Sequence, residues 1–406
     1  MPLNLCGGGV PETNEFRVTF SAMQMEMEGM RTGMTDVDAS RSLNIFDLMG
    51  ASSASPHAGH SHTGASSQDA TILQDHINGL LTGRKYMEVP TYMRMSMTHV
   101  MFGYSFTDNL YGMLMFVGKK NAMGMKVSPM MVSMYGKSNY EMKSEGMGDT
   151  EMILKYRIYA NDPLIPTNQM SISFGMSMPT GSINERNSAS PFGGDPYTIT
   201  TGQNLIKANH ADINYKLELL PYDMQLGSGT WDPIVGFAYG GSASPWWWGT
   251  NLKFIGREYR NTRGWAYGDE FQYSAYLMRQ LAYDWVAQIQ LNGRSWGKIQ
   301  GEADEVRTGL SGRNVQGNPW SDYMMPSWNP NYYGGERVDA TVGLQWQPIP
   351  LHVVELDISA PVYERLNGMQ MSGEYTVQLS YFVEIPTPSS ARYSGKKGES
   401  ESNLGF

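Results

Sequence analysis

Between Glu336 and Glu384 the sequence alternates apolar and polar residues with period two, three times in succession. Val338, Ala340, Val342, Leu344 and Trp346 interleave with Asp339, Thr341, Gly343 and Gln345. Val354, Leu356, Ile358, Ala360 and Val362 interleave with Glu355, Asp357, Ser359 and Tyr363. Tyr375, Val377, Leu379, Tyr381 and Val383 interleave with Thr376, Gln378, Ser380 and Glu384. A strand sends successive side chains to opposite faces, so each run is a strand with one apolar and one polar face. At about nine or ten residues, each has the length a tilted strand needs to cross a bilayer's hydrocarbon. A tight connection at Gln347 to Leu351 and a looser one at Glu364 to Glu374 predict an antiparallel meander.

The same period recurs upstream. Strands are expected at Arg17 to Glu28, Thr91 to Tyr104, Leu110 to Lys119, Glu151 to Ile158, Gln169 to Met178, Trp231 to Tyr239, Trp246 to Tyr259, Phe271 to Leu281 and Trp285 to Gly297. In the first, Phe16, Val18, Phe20 and Ala22 sit on one parity and Met23, Met25 and Met27 on the other, so a bulge is expected near Ala22. Short turns fall at Thr107-Asp108-Asn109, Asn161-Asp162-Pro163, Gly241 to Pro245 and Ala282-Tyr283-Asp284. A medium connection is expected at Lys120 to Gly148. Long loops are expected at about 31–85, 179–229 and 298–335, the first rich in Ser, Gly, Ala, Thr and His, with a short helix at Ala70 to Leu81.

Composition narrows the class. No apolar run reaches eighteen residues, which excludes a transmembrane helix. A single cysteine, Cys6, excludes a disulfide framework or a cysteine metal cluster. The net charge of -9 argues against a nucleic-acid partner, which needs a basic stripe. No signal-peptide layout opens the sequence, so an exported chain would be numbered from a mature or trimmed form. The 31 methionines exceed what an average globular composition supplies.

The runs number about twelve, an even count, with short turns and long loops in alternation. That is the layout of a transmembrane antiparallel β-barrel of the bacterial outer membrane, with long extracellular loops and short periplasmic turns. The expected fold class is therefore all-β, with an N-terminal extension over 1–15, the barrel over 16–385 and a polar C-terminal tail over 386–406. Trp231, Trp246, Trp247, Trp285, Trp346 and Tyr381 at strand ends suit interfacial girdles or ordinary core packing.

Several strings, taken in order, carry a resemblance: MQMEMEGMRTGM (Met23 to Met34), VPTYMRMSM (Val89 to Met97), TDNLYGMLM (Thr107 to Met115), GDTEMILKYRIY (Gly148 to Tyr159), MSMPTGSIN (Met176 to Asn184), LPYDMQLGSGTWD (Leu220 to Asp232) and PVYERLNGMQMSGEYTVQLSYFV (Pro361 to Val383). Together they resemble the Met-rich branch of the outer-membrane transporter family related to the phenol meta-pathway degradation porins. The resemblance implies a twelve-stranded-type outer-membrane channel with no catalytic residues, and metal handling in members with Met and His clusters. The sequence departs from that pattern after the last strand, where Ile385 to Phe406 adds a polar tail.

Candidate chemistry follows from the residue types. Arg94, Lys155, Arg157, Gln288, Gln290, Asn292, Arg294, Asp339, Glu355 and Asp357 lie opposite apolar partners within their strands and are expected to line the lumen. There they set a field for a small polar or charged solute, or pair with one another and plug the barrel. His57, His60 and His62 on the first long loop, with Met30 and Met34 at its start, could converge on copper or another soft or borderline ion, or belong to a solvated loop. The ladders Met23, Met25, Met27 and Met93, Met95, Met97 each occupy one strand face. Because Gln24, Glu26, Arg94, Ser96 and Thr98 fall between them, the rule that polar residues face the lumen turns the ladders toward lipid. No HExxH, GxSxG, P-loop or dinucleotide fingerprint is present, and Ser228 has no assignable His or carboxylate, so an enzyme is not expected. The expected function is an outer-membrane channel for a small molecule or ion. The alternative is a surface copper-type protein anchored by its barrel. Membrane lipid is the expected surround, with no certain cofactor; a homo-oligomer or a periplasmic or surface partner is compatible with either reading.

Overall fold

The computed structural model describes residue 2 and residues 13–43, 86–129, 131–132, 136–162, 166–187, 189, 218–314 and 318–390. The chain forms, in order, β1 (Glu15–Gly33), β2 (Thr35–Val37), β3 (Glu88–Thr107), β4 (Leu110–Val127), β5 (Asn139–Met147), β6 (Thr150–Ala160), β7 (Asn168–Met178), β8 (Arg186–Asn187), β9 (Glu218–Leu219), β10 (Asp232–Ala243), β11 (Trp246–Ile255), β12 (Trp265–Ala266), β13 (Glu270–Ala282), β14 (Trp285–Trp296), β15 (Gln300–Gly301), β16 (Gly335–Ile349) and β17 (His352–Pro386). Eleven of these, β1, β3, β4, β6, β7, β10, β11, β13, β14, β16 and β17, pair in that order, and β17 pairs back onto β1 to close a transmembrane barrel. β2 and β5 lie outside the ring, on β1 and β4. The pairs β8 with β9 and β12 with β15 are small ribbons in the long loops.

All pairings around the ring are antiparallel, and such a ring closes only with an even number of staves. β17 supplies the twelfth by reversing on itself. Its residues up to Leu366 pair with β16 and those from Leu366 onward pair with β1. The reversal falls at Asn367-Gly368, with Gly368 at φ 72°. It brings the Glu384 amide 3.0 Å from the Leu351 carbonyl. The looser connection expected over Glu364 to Glu374 is thus continuous strand around a tight turn, with Gly368 accepting the positive φ.

Two further expectations are overturned. The connection expected over Lys120 to Gly148 is mostly strand: β4 runs on to Val127, and β5 returns along it from Lys126↔Asn139 to Gly118↔Met147. β5 and β6 share one side of β4, so β5 carries the wall of β6 beyond the ring. Nor does β1 bulge at Ala22: its register with β3 is unbroken from Phe16↔Tyr104 to Glu28↔Tyr92. The irregularity lies at Glu26/Met27, on the side facing β17.

With no bulge, parity decides the faces. Met23, Met25 and Met27 share the face of Arg17, Thr19 and Ser21, whereas Gln24 and Glu26 share the face of Phe16 and Phe20. On β3, Met93 is buried in the apolar core of the barrel mouth while Arg94, with a side chain 60% exposed, pairs with Glu26 at 3.2 Å. The ladders therefore point inward and Arg94 outward, against both expectations. The physical reason is height. Polar-inside holds where the outer face meets lipid, but this half of the strands carries outer ion pairs such as Lys120–Glu145 at 3.0 Å and Lys143–Glu141 at 2.6 Å, which belong in water.

Toward the short turns the outer face changes character. Phe20, Phe102, Leu154, Phe174, Ile289, Val342 and Leu356 are all exposed there. An apolar belt this continuous is a lipid-facing surface. Trp246, Trp285, Trp346 and Tyr381 rim it on the turn side, with Trp285 and Trp346 stacked at 5.9 Å, while Trp231 stands outward at the loop side. Trp247 instead turns inward against Tyr276, Met278, Val286, Val353 and Phe382.

Candidate solute path

One arc of the inner wall, from β14 through β16 to the first half of β17, is a hydrogen-bonded polar surface. The register aligns Gln288, Gly343 and Asp357 in one row and Val286, Gln345 and Glu355 in the next. Gln288 Nε2 donates to Asp357 Oδ1 at 2.6 Å, reaching past the intervening strand. It can do so because Gly343 has no side chain: a Cβ there would sit 2.5 Å from Gln288 Nε2 and closer still to Asp357. Gln345 donates to Glu355, Asn292 to Gln290 at 3.1 Å and to Thr341 at 2.9 Å, and Thr341 shares a hydrogen bond with Ser359 at 2.8 Å. Glu355 and Asp357 are nearly sealed from water.

Ion pairs are set both within this arc and farther round the inner wall. Arg17 meets Glu384 at 2.6 Å, Arg294 meets Glu270 at 2.8 Å, and Arg337 meets Asp339 at 2.8 Å. Arg257 meets Asp232. Lys253 of β11 crosses β10 and β7 to reach Glu151 of β6 at 2.8 Å, over an inner face made low by Gly236, Ser173 and Gly175. Pairing keeps each of these charges in a fixed position at the edge of a low-dielectric interior.

Opposite the polar arc, the inner wall of β1, β3, β4 and β5 is built of thioethers. Row by row the cross-strand register sets Met27, Met93, Met123 and Met142 side by side, then Met25 and Met95 beside Asn121, then Met23 and Met97 beside Lys119. Met101 and Met115 are partners nearer the turn side. Direct cross-strand partners have Cβ atoms roughly 4.5–5.5 Å apart.

The long loops fold onto this wall at the barrel mouth. Leu220, Tyr222 and Met224 are fully buried with Met93, Met123, Met125 and Met142, and with Trp265 and Trp328 from the two later loops. The segment Leu220 to Asp232 is tied across the mouth by its backbone. Ser144 Oγ donates to the Met224 carbonyl at 2.7 Å, Lys119 Nζ to the Leu226 carbonyl at 2.9 Å and Tyr267 Oη to the Tyr222 carbonyl at 2.7 Å. Asp149 accepts from the amides of Gly181 at 2.9 Å and Ser228 at 2.7 Å. Glu305 binds Arg186 at 2.5 Å and Arg263 at 3.0 Å; burial alone would raise its carboxyl, but the two guanidiniums hold it down to about 2. Burial pushes Glu218 up to about 7, although the Gly312 amide donates to it at 2.9 Å, and pushes Asp223 up to about 7 as well.

Of the residues expected in the lumen, Lys155, Arg157, Gln288, Gln290, Asn292, Arg294, Asp339, Glu355 and Asp357 lie on the inner face; Arg94 does not. Arg157 Nε donates to Asn109 Oδ1 at 3.0 Å, near the turn side. Of the residues expected at a metal site, Met30 is 2% exposed against Met371 of β17 while Met34 is 65% exposed in the turn before β2, so the fold does not bring them together. His57, His60 and His62, and the helix expected at Ala70 to Leu81, lie outside the described residues. Among the described residues no group of three or more His, Cys, Asp or Glu could hold a metal. Ser228 Oγ is engaged with the Thr230 carbonyl at 3.2 Å. The sequence reading missed Asp149 and the crossing segment. The one available signal was the apolar content of LPYDMQL inside a nominal loop.

A closed antiparallel barrel with an apolar belt, a polar and charged interior and inward-folded loops defines a β-barrel of the bacterial outer membrane. Solved structures agree at that level. The COG4313 outer membrane channel from Pseudomonas putida F1 superposes with a TM-score of 0.50 at 8% identity, over 94% of this chain and 100% of that one. The Pseudomonas putida toluene transporter TodX gives 0.37 at 9% identity, over 93% and 91%. The translocator domain of the autotransporter NalP from Neisseria meningitidis gives 0.36 at 10% identity, over 94% and 90%. The last two are too distant to carry an argument. No family model and no curated protein matches the sequence.

Proposed function

We propose that this chain is a channel of the bacterial outer membrane that passes a small solute between its thioether wall and its polar wall, with the Leu220 to Asp232 segment as the constriction at the mouth. The observation that carries this reading is the inward fold of the three later loops. The first of them is tied to the barrel by Asp149, Ser144 and Lys119 and the other two pack on it through Trp265 and Trp328, whereas a barrel that served only as an anchor would have no use for a built constriction. Lys155, Arg157, Gln288, Gln290, Asn292, Arg294, Asp339, Glu355 and Asp357 are the proposed path residues, acting through fixed dipoles and paired charges on a small polar or charged solute. Membrane lipid and the solute are its proposed partners, and no reaction is assigned.

Reconstitution in a planar bilayer tests the reading. Discrete conductance steps are expected, and deleting residues 221–227 should enlarge them several-fold. A protein that is fully folded by heat-modifiable migration yet silent at all salt concentrations, with or without the deletion, would overturn it.

A further inference from the structure

The inner wall of β1, β3, β4 and β5 uses methionine where ordinary packing would not call for it. On the outer, lipid-facing side of the same strands, apolar cover comes from Val18, Phe20, Val100, Phe102, Leu114 and Phe116. On the inner side, positions 23, 25 and 27 of β1 and 93, 95, 97 and 101 of β3 are all Met, and the one exception in the β3 series is His99, itself a metal-binding side chain. Burial explains why these positions are apolar but not why they are thioethers. Fixing a Met side chain costs about 1.5–2 kcal/mol of rotamer entropy against roughly 0.5–1 for Leu, so a wall meant only to pack is better built from Leu or Ile.

The register then decides what the thioethers can do. Met27, Met93, Met123 and Met142 are consecutive cross-strand partners on four neighbouring strands, flexible enough for two or three sulfurs to meet at one point. Neutral sulfur donors offer nothing to hard cations, which require oxygen, and they select soft monovalent ions such as Cu(I). From Met93 to Met101 the wall continues for about 26 Å along the strand, from the mouth toward the barrel's middle.

We propose that this wall is a binding track for soft monovalent cations, with its principal site at the row Met27, Met93, Met123 and Met142 and a further station at Met101 and Met115. The proposal rests on the channel reading and names one class of solute for it.

Silver(I), a redox-stable stand-in for Cu(I), is the probe, titrated calorimetrically into the detergent-purified full chain. The background carries C6S and Ala at His57, His60 and His62, which removes the competing soft ligands. M27L, M93L, M123L and M142L together conserve volume and remove the row's sulfur; M152L, M170L and M176L together do the same on the outer face. The row variant should lose at least ten-fold in affinity and the outer variant should match its parent. M25L with M95L, a milder change one row down, should lose two- to three-fold and serves if the row variant fails to show heat-modifiable migration. Equal silver affinity in the parent and in whichever inner-wall variant folds, or no saturable silver binding by the parent, overturns the proposal. Potassium chloride conductance on the same preparations separates the two readings. Conductance without saturable silver binding removes the soft cation and leaves the channel, whereas silver binding without conductance removes the channel.

Discussion

The two walls that face each other across the barrel are made on opposite principles. In the ring order, β4 stands diametrically opposite β14 when β17 is counted as two staves. On the β14 side, the polar inner side chains are committed to directional partners, as in the Gln288–Asp357 and Gln345–Glu355 bonds. On the β4 side, most inner side chains at the mouth are thioethers with no directional demand and several rotamers each, set among the hydrogen-bonded Lys119, Asn121 and Ser144. A buried polar network is worth having only when every member is satisfied, so the first wall is brittle. The second can rearrange around whatever is placed against it, whether a docked loop or a bound ion. One barrel thus holds a fixed reference surface opposite an adaptable one.

The sharpest way to break this contrast is to put a side chain at Gly343. G343L drives a branched group between Gln288 and Asp357, overpacking the row and leaving the buried Asp357 carboxyl without its donor, and should cost on the order of 3–5 kcal/mol in urea unfolding from vesicles. A methyl-conserving change on the other wall, M123L, should cost less than about 1.5 kcal/mol. Comparable losses at the two sites would remove the distinction between the walls.

Asp149 is where the loop between β7 and β10 is fastened to the barrel, and its loss should release that loop without touching either wall. Hydrogen bonds to a charged group contribute about 1.5–3 kcal/mol each, and Asp149 accepts two from amides at the two ends of this loop, Gly181 and Ser228. D149A is expected to weaken docking by roughly 2–4 kcal/mol, the shared carboxylate making the two bonds less than additive. The measurement is faster hydrogen exchange at residues 226–228 together with larger conductance. Unchanged exchange there would show that the apolar core of the mouth holds the loops by itself.

Protons should tune the same docking. Glu218 and Asp223 each titrate near 7 when packed, against 4.5 and 3.8 in open chain. Both are acids whose folded values are raised, so the docked state holds protons that the undocked state releases. Docking is therefore firmest below about pH 4 and weakens as pH rises toward 7 and beyond, by on the order of 3–4 kcal/mol for each group. Of the groups facing them, Glu305 repels a charged Glu218 and favours its proton, whereas the hydrogen bonds from the Gly312 amide to Glu218 and from Tyr333 to Asp223 oppose the shift that burial imposes. Glu305 itself, held down to about 2, has a lowered folded value; its contribution is complete above 4.5 and is lost only as pH falls through about 2. Exchange at residues 218–226, corrected for its intrinsic pH dependence, should be slower at pH 5 than at pH 8, and E218Q with D223N should flatten the difference. An unaltered pH profile in that double variant would place the titration elsewhere.

How much of this was legible in the sequence differs between the walls for a physical reason. In the lipid-belted half, an apolar face and a polar face are separated by a real solvent difference, so Gln288, Asp339 and Asp357 could be assigned to the inner face from parity alone. In the mouth, water lies outside and protein lies inside, and the same pattern reads backwards: Gln24, Glu26 and Arg94 look like lumen and are surface. Parity divides the residues correctly in both places, but which set faces inward depends on what the loops do. The loops obey no period. β5 was missed because it is short and polar on its outer face, and the reversal expected within Glu364 to Glu374 is tighter than expected, although Asn-Gly between alternating runs is a strong hairpin signal.

Arg94 turns that difference into the smallest and most discriminating expectation. If it lined the lumen, its loss would shift ion preference along with that of Arg294, whose guanidinium is held at 2.8 Å by Glu270 on the inner face. Placed outside, with its ion pair to Glu26 at 3.2 Å and largely in water, it belongs to the surface pairs that contribute about 0–1 kcal/mol and are screened by salt. R94A is therefore expected to leave cation-to-anion selectivity unchanged and to lower stability by no more than about 0.5 kcal/mol, while R294A alters selectivity by removing the inner-face partner of Glu270. Reversal-potential measurements under a salt gradient on the two variants decide it. A shift in R94A comparable to that in R294A would mean that β3 presents its other face to the lumen, and the thioether wall would then have to face outward with it.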